Sequence, residues 1–447
     1  MPYFDLARIR AIIFHRARRN SRFCSPRDFR ANHKMCNTQY LLPLREYNHG
    51  INPLTSDTQI QASRSQPKST GEPGKSIAYI LPEDWFFASH FMPLIRAARS
   101  VGLIPIVITR TSRHKAVIEE AGARVIPMTF ARNAHSPLTL VRTVLFLARA
   151  LKREQVSIVH CITLRSILLG GTAAFIAGVR LRIFAVTGEG FLAANRKVTA
   201  KFVRVMTRLA ITNLIANSRT HFVFENESDP AGYNLSPGAE NVTILGGAGV
   251  DTEHYREMPL PGGQALKIAV VARMLWSKGI DVAVEGVQIA RQQGYDVRLS
   301  LYGAPDDANP RTVPRETLEI WSMQDGIDWY GPVADVRDVW GNHHLACLLS
   351  RGGEGLPRTL LEAASCGRAV LTTDVPGCRD FIRDGQEGWI VPVDAAEPFA
   401  RILIMLFYNR IMVEEAGKKA RQRVSAGFTE NKVVQQMQDV YRSMSTE

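Results

Sequence analysis

Short apolar, largely β-branched runs alternate with helix-period stretches twice along this chain, and that alternation restricts its fold more than any other feature. In the first series Ile77–Leu81, Ile104–Thr109, Arg124–Pro127, Ser157–Cys161, Arg182–Val186, Leu214–Ala216 and Val242–Leu245 read as strands. Phe91–Ser100, Ala116–Ala121, Leu138–Glu154, Ser166–Ala177 and Arg196–Leu209 read as helices, and Pro82–Phe87 as a polar-aromatic turn. In the second series Ile268–Val271, Val297–Leu301, Ile327–Tyr330, Leu345–Leu349 and Ala369–Thr373 are strands. They alternate with helices at Ile280–Gln292, Pro314–Met323, Val336–Gly341 and Thr359–Ser365. Strands joined by crossover helices predict a parallel sheet, and ligands in such sheets collect at the carboxyl ends of the strands. The turns after Leu81, Cys161 and Val186 are therefore candidate site walls. The division expected is 1–74, a basic extension; 75–250, a first α/β domain; 251–266, a linker; 267–428, a second α/β domain; and 429–447, a helix crossing back to the first.

The stretch Leu348–Val391 carries the clearest chemistry. An apolar run turns through Gly352, Gly353 and Gly355, and Pro357 stands where a helix begins without needing a backbone N–H. Gly367 follows where the helix stops. Glu354 lies in the turn, and Glu362 inside the helix, about 8 Å along the axis from Pro357. Backbone N–H groups at such a helix start favour a phosphate. Spacing alone leaves two readings open: acids at the two ends of a diphosphate-linked ligand, or a first-turn acid and a solvated glutamate.

Composition rules out several classes. The 45% hydrophobic and 22% charged residues suit a globular protein, and no apolar run is long enough to span a bilayer. The six cysteines (24, 36, 161, 347, 366 and 378) form neither a C-x-x-C pair nor a Cys/His cluster. That argues against zinc or a disulfide framework, and for a reducing cytoplasm. The net charge is +13; residues 1–74 carry 12 Lys+Arg against 5 Asp+Glu, the remainder 43 against 37. The first stretch reads as a disordered basic tail or as translation upstream of the start. Basic charge suits anionic partners. Lys197, Lys201, Arg204 and Arg208 recur at helical spacing, with Val198, Phe202, Val205, Met206 and Leu209 largely on another side. Two readings stand for that helix: contact with an anionic membrane surface, or an ordinary surface helix packed on the core.

The second half contains the Glu-x7-Glu pair in EGLPRTLLEAASCGRAVLTTDVPGCRDFI, with ARMLWSKGI, GAGVD and GAPDDANPRTVPRETLEIW upstream. The first half contains PEDWFFASHFMPLIRAARSVG, IVHCITLRS and VTGEGF. Jointly these resemble glycosyltransferase family 4, retaining nucleotide-sugar transferases of the GT-B fold, over roughly residues 75–447. The subgroup resembled builds capsule, exopolysaccharide or lipid-linked oligosaccharide repeats. The resemblance implies two Rossmann-like domains facing across a cleft. It implies that Arg273 and Lys278 bind the donor diphosphate, Glu354 the sugar and Glu362 the ribose. Amides at Gly355–Leu356 and Leu360–Leu361 would complete the pocket. His90, Thr187, Gly188 and Glu189 fall on the acceptor side. The sequence departs from the family pattern at SRGGEG, at Phe91 of SHF and at Glu189.

The reaction so implied is retaining transfer of a sugar, UDP-linked, to a lipid-linked or growing polysaccharide acceptor, with Glu354, Arg273 and Lys278 as catalytic groups. No metal or other cofactor is expected, because the two cations meet the diphosphate charge. A GT-B sugar-nucleotide epimerase is the enzymatic rival. A nucleic-acid-binding protein is the other, and the chain lacks a recognisable reading module for it.

Overall fold

The computed structural model describes residues 75–128, 136–188, 190, 198–307 and 309–446. The basic stretch 1–74, Glu189 and Lys197 lie outside them.

Two parallel sheets organise the chain. The first comprises β1 (Ser76–Glu83), β2 (Ile104–Arg110), β3 (Arg124–Pro127), β4 (Ile158–Ile162), β5 (Leu181–Val186), β6 (Thr220–Phe224) and β7 (Val242–Ile244), in the order β3-β2-β1-β4-β5-β6-β7. The second comprises β8 (Leu266–Val271), β9 (Val297–Tyr302), β10 (Ile327–Gly331), β11 (Leu345–Leu348), β12 (Ala369–Thr373) and β13 (Gly388–Val391), in the order β10-β9-β8-β11-β12-β13. All the pairings are parallel. Each sheet reverses its strand order beside its first strand, at β1/β4 and at β8/β11. Crevices of open α/β sheets lie at such points. The central strands are buried almost throughout because helices cover both faces, which explains their unbroken Val/Ile/Leu character.

Two local expectations are corrected. Pro82 and Glu83 extend β1, and Asp84–His90 is a helix, not a turn. Asp84 is buried because its carboxylate accepts from the Ser112 and His114 amides, at 2.5 and 3.1 Å. Leu214–Ala216 is no strand: the helix Val198–Leu209 runs into a π-helical turn, Ala210–Ile215. The strand there is Thr220–Phe224, whose charged neighbours and interposed Asn217-Ser218-Arg219 hide it from periodicity.

The terminal helix Glu430–Thr446 packs into the core of the first sheet through Val433, Met437, Val440, Tyr441 and Met444. Tyr441 Oη meets Tyr79 Oη at 3.0 Å and His160 Nδ1 at 3.3 Å. Arg96 pairs with Glu430 at 2.9 Å. The end of the second half thus completes the core of the first.

Candidate active site

The Gly352–Leu356 turn leaves the carboxyl end of β11, and its acids do not stand free. Lys278 Nζ contacts Glu354 Oε1 and Oε2 at 2.7 and 2.9 Å, and Ser350 Oγ donates to Oε1 at 2.6 Å. Burial alone would raise the Glu354 carboxyl. The Lys278 charge, both sets of hydrogen bonds and the Arg273 charge outweigh it and hold the group below the usual carboxylate range. The Lys278 loop is sewn to the turn by Arg351. Its guanidinium bonds both oxygens of Asp281 at 2.9 and 2.8 Å and the Trp276 carbonyl, while its amide donates to the Ser277 carbonyl at 2.8 Å. Arg351 is part of the SRGGEG departure noted above, so that departure carries its own anchor. Arg273, half-exposed, pairs with Asp306 at 2.7 Å.

Glu362 is buried in the helix Arg358–Ser365. Tyr255 Oη donates to its Oε1 at 3.1 Å and Arg358 Nε at 2.8 Å. Burial raises its carboxyl even so, against the pull of Arg358. Arg358 also donates to the Ser89 carbonyl of the first half. Pro357 is the residue preceding the helix rather than its first turn. The Leu360 and Leu361 amides bond the Pro357 carbonyl at 3.0 and 3.4 Å, and the Leu361 side chain is wholly buried. Both amides are thus engaged within the start of the helix.

The first half presses directly on the turn. Gly188 has φ +87°, and a Cβ there would lie 2.5 Å from the Gly355 nitrogen and 2.6 Å from the Gly353 carbonyl oxygen. Only glycine allows the two turns to meet. The Gly190 amide donates to the Gly353 carbonyl at 3.0 Å. Thr187, His90, His160 and Glu225 line a crevice behind this contact, with Gly247 and Val433. His90, bonded through Nδ1 to Ser89 Oγ at 2.6 Å, is pushed down to about 3 by burial and by Arg358. Burial likewise holds His160 at about 3. Both are neutral at ordinary pH. Thr163, just after β4, holds φ +84°, a conformation rarely taken by a β-branched residue, and it marks strain in the site wall.

The structure thus brings Lys278, Glu354, Gly355 and Leu356 together with Thr187 and Gly188. Glu362 and His90 stand on either side of Arg358, and Arg273 lies at the rim of its loop. Glu189 falls outside the described residues. Sequence reasoning missed Arg358, Tyr255, Ser350, Glu225 and Asn226. Of these only Arg358, four residues before Glu362 on one helix, carried a readable spacing signal.

Two family models match the halves in turn: a glycosyl transferase 4-like model over residues 76–218 and a glycosyl transferases group 1 model over residues 265–409. The N,N'-diacetylbacillosaminyl-diphospho-undecaprenol alpha-1,3-N-acetylgalactosaminyltransferase of Campylobacter jejuni is 23% identical over 369 residues, covering 79% of this chain and 94% of that protein. The capsular polysaccharide biosynthesis glycosyltransferase CapM of Staphylococcus aureus is 22% identical over 339 residues, 73% of this chain and 86% of that one. Among solved structures, Anabaena HepE in complex with UDP and glucose superposes with a TM-score of 0.63 at 16% identity, covering 83% of this chain and all of that one. That likeness shows a shared fold.

Proposed function

The chain belongs to the GT-B glycosyltransferases of groups 1 and 4, and from that premise we propose that it moves a sugar from a UDP-linked donor, with retention, to a lipid-linked or growing polysaccharide acceptor. The observation that carries this reading is the pairing of Lys278 with Glu354 in a glycine turn at the carboxyl end of β11, pressed against the first half. Supporting it, the Anabaena protein was solved with UDP and glucose, and the Campylobacter relative is named for a diphospho-undecaprenol acceptor.

On this reading Glu362, held by Tyr255 and Arg358, receives the ribose hydroxyls and Glu354 the sugar hydroxyls. A lysine ammonium has three donors. Two reach Glu354, and the third turns to a phosphate oxygen of the donor. Arg273, held by Asp306, supplies the second cation, so the leaving diphosphate is neutralised without a metal. The bond from anomeric carbon to phosphate oxygen breaks as the acceptor oxygen bonds to the same face. The acceptor proton passes to the departing phosphate. The positive character that develops at the anomeric carbon is met by Glu354. His90, Thr187 and Gly188 border the acceptor.

The membrane part of the proposal changes its chemistry. On the helix Val198–Leu209 the apolar side faces outward, with Val198 81% and Phe202 66% exposed, whereas Arg204 and Arg208 are half-buried. Arg208 stacks over the Tyr233 ring at 5.3 Å. Contact with an anionic lipid surface therefore falls to the apolar stripe and to Lys201, which is exposed. No helix among the described residues is long and apolar enough to cross a membrane.

Release of nucleoside diphosphate, measured with a panel of sugar nucleotides in the presence and absence of a lipid-linked acceptor, tests the reading. UDP release that requires acceptor is expected. Conversion of the donor without acceptor would instead favour an epimerase. E362A turning over donor like the wild type would sink the ribose assignment.

A further inference from the structure

A single peptide unit of the donor turn is gripped at both ends by the first half. Glu225 Oε2 accepts from the Leu356 N–H at 2.9 Å, and Asn226 Nδ2 donates to the Gly355 carbonyl at 3.0 Å. Both residues follow the carboxyl end of β6. The Asn226 side chain is buried and fully used. Its Nδ2 also donates to Asp229 at 2.9 Å, and its Oδ1 accepts from the Ser228 and Asp229 amides at 3.1 and 2.9 Å. Ser228 in turn donates twice to Asp380 of the second half, at 3.2 and 3.1 Å. Gly355 has no room for a side chain, because Glu225 and Thr187 occupy the space. The clamped peptide immediately follows Glu354.

We propose that Glu225 and Asn226 are positioning residues for transfer, which clamp the Gly355–Leu356 peptide and so hold Glu354 in register with the acceptor half. Each sheet is packed by its own hydrophobic clusters, which include neither Glu225 nor Asn226, so the clamp is not what builds either core. What needs it is the alignment of a donor bound to one half with an acceptor bound against the other, where a small displacement is costly in rate. The Glu225 carboxyl acts in its neutral form. Burial, followed by the Asp229 and Glu354 charges, pushes it up to about 8, and the Leu356 hydrogen bond only partly offsets this. The groups around it are Asp229, Glu354 with its Lys278, and His90 and His160 across the crevice. Ionised, Glu225 would be a buried charge beside Asp229 and Glu354, so the clamp weakens as pH climbs above the ordinary carboxyl range toward 8.

The inference rests on the transferase reading, and the experiment separates the two. In E225A and N226A, acceptor-dependent kcat should fall tenfold or more. UDP affinity by calorimetry should stay within about threefold, and the thermal midpoint should fall by no more than about the few degrees that lost buried hydrogen bonds cost. E225Q, which keeps an acceptor oxygen for Leu356, should recover most of the lost kcat. It should also lack the fall in activity that the wild type shows as pH rises from about 4.5 toward 8. An unchanged kcat in E225A and N226A overturns the clamp. So does a fall of kcat joined by a loss of UDP affinity beyond about threefold and a drop in thermal midpoint of more than a few degrees, which would mean a purely structural role. Wild-type protein that releases no UDP with any acceptor sinks the transferase reading instead. The clamp is then read in the free protein, by hydrogen exchange of the Leu356 amide, which should quicken in E225A and would contradict the clamp by staying slow.

Discussion

At the scale of single residues, the candidate site consists of charges that neutralise one another. Lys278 and Glu354 are both mostly buried, with side chains 18% and 13% exposed. K278A strands a buried carboxylate with Ser350 as its remaining close donor, and is expected to cost roughly 2–4 kcal/mol by denaturant titration. The Glu354 group is held below its ordinary value, so the stabilisation it contributes is complete above about 4.5 and lost as pH falls through the lowered value. The gap between wild type and K278A should therefore narrow on acidification. An equal gap at pH 3 and pH 7 would show that Glu354 is not what Lys278 stabilises. Arg273, Lys278, Glu354 and Glu362 were legible as residue types at set places in loops and helices. Glu225, Asn226 and Tyr255 were not, because their partners lie more than a hundred residues away.

At the scale of elements, periodicity located most helices and strands but not the direction in which they face. The helix Val198–Leu209 is amphipathic, and the ordinary rule turns its apolar side inward. Here Ala200 is its buried residue, and Phe202, Val205, Met206 and Leu209 are exposed. The cause lies outside the helix. The space against Tyr233 and Gly232 is filled by Arg208, whose stem packs while its guanidinium stacks on the ring. A stripe of this kind seldom faces water without purpose. Replacing Phe202 and Met206 together by glutamate should abolish co-sedimentation with vesicles containing anionic phosphatidylglycerol and leave the thermal midpoint unchanged. Undiminished vesicle binding would refute the membrane role. The missed strand Thr220–Phe224 is the converse case, a half-polar run that tertiary pairing with β5 and β7 makes a strand.

At the scale of the whole molecule, the crossing helix ties the two halves together. Tyr441 comes from the far end of the chain, yet its hydroxyl lies between Tyr79 and His160 beneath the crevice. Y441F should lower stability by about 1–2 kcal/mol, because buried hydroxyl and imidazole groups lose a partner. On the proposed reading UDP sits in the second half, so its affinity should be retained. Calorimetric unfolding beside UDP titration would check both, and a loss of UDP binding would show that the helix acts on the donor half.

The sequence by itself determined two parallel α/β units and the place of the glycine turn. Those properties reside in local periodicity and short spacing, which a chain displays without folding. Tertiary structure alone decided which charges neutralise each other, which side of the Val198–Leu209 helix meets solvent, and that Glu225 and Asn226 reach the Gly355–Leu356 peptide. Each of those depends on groups far apart in the chain competing for the same space and the same hydrogen bonds, and only the folded arrangement settles that competition.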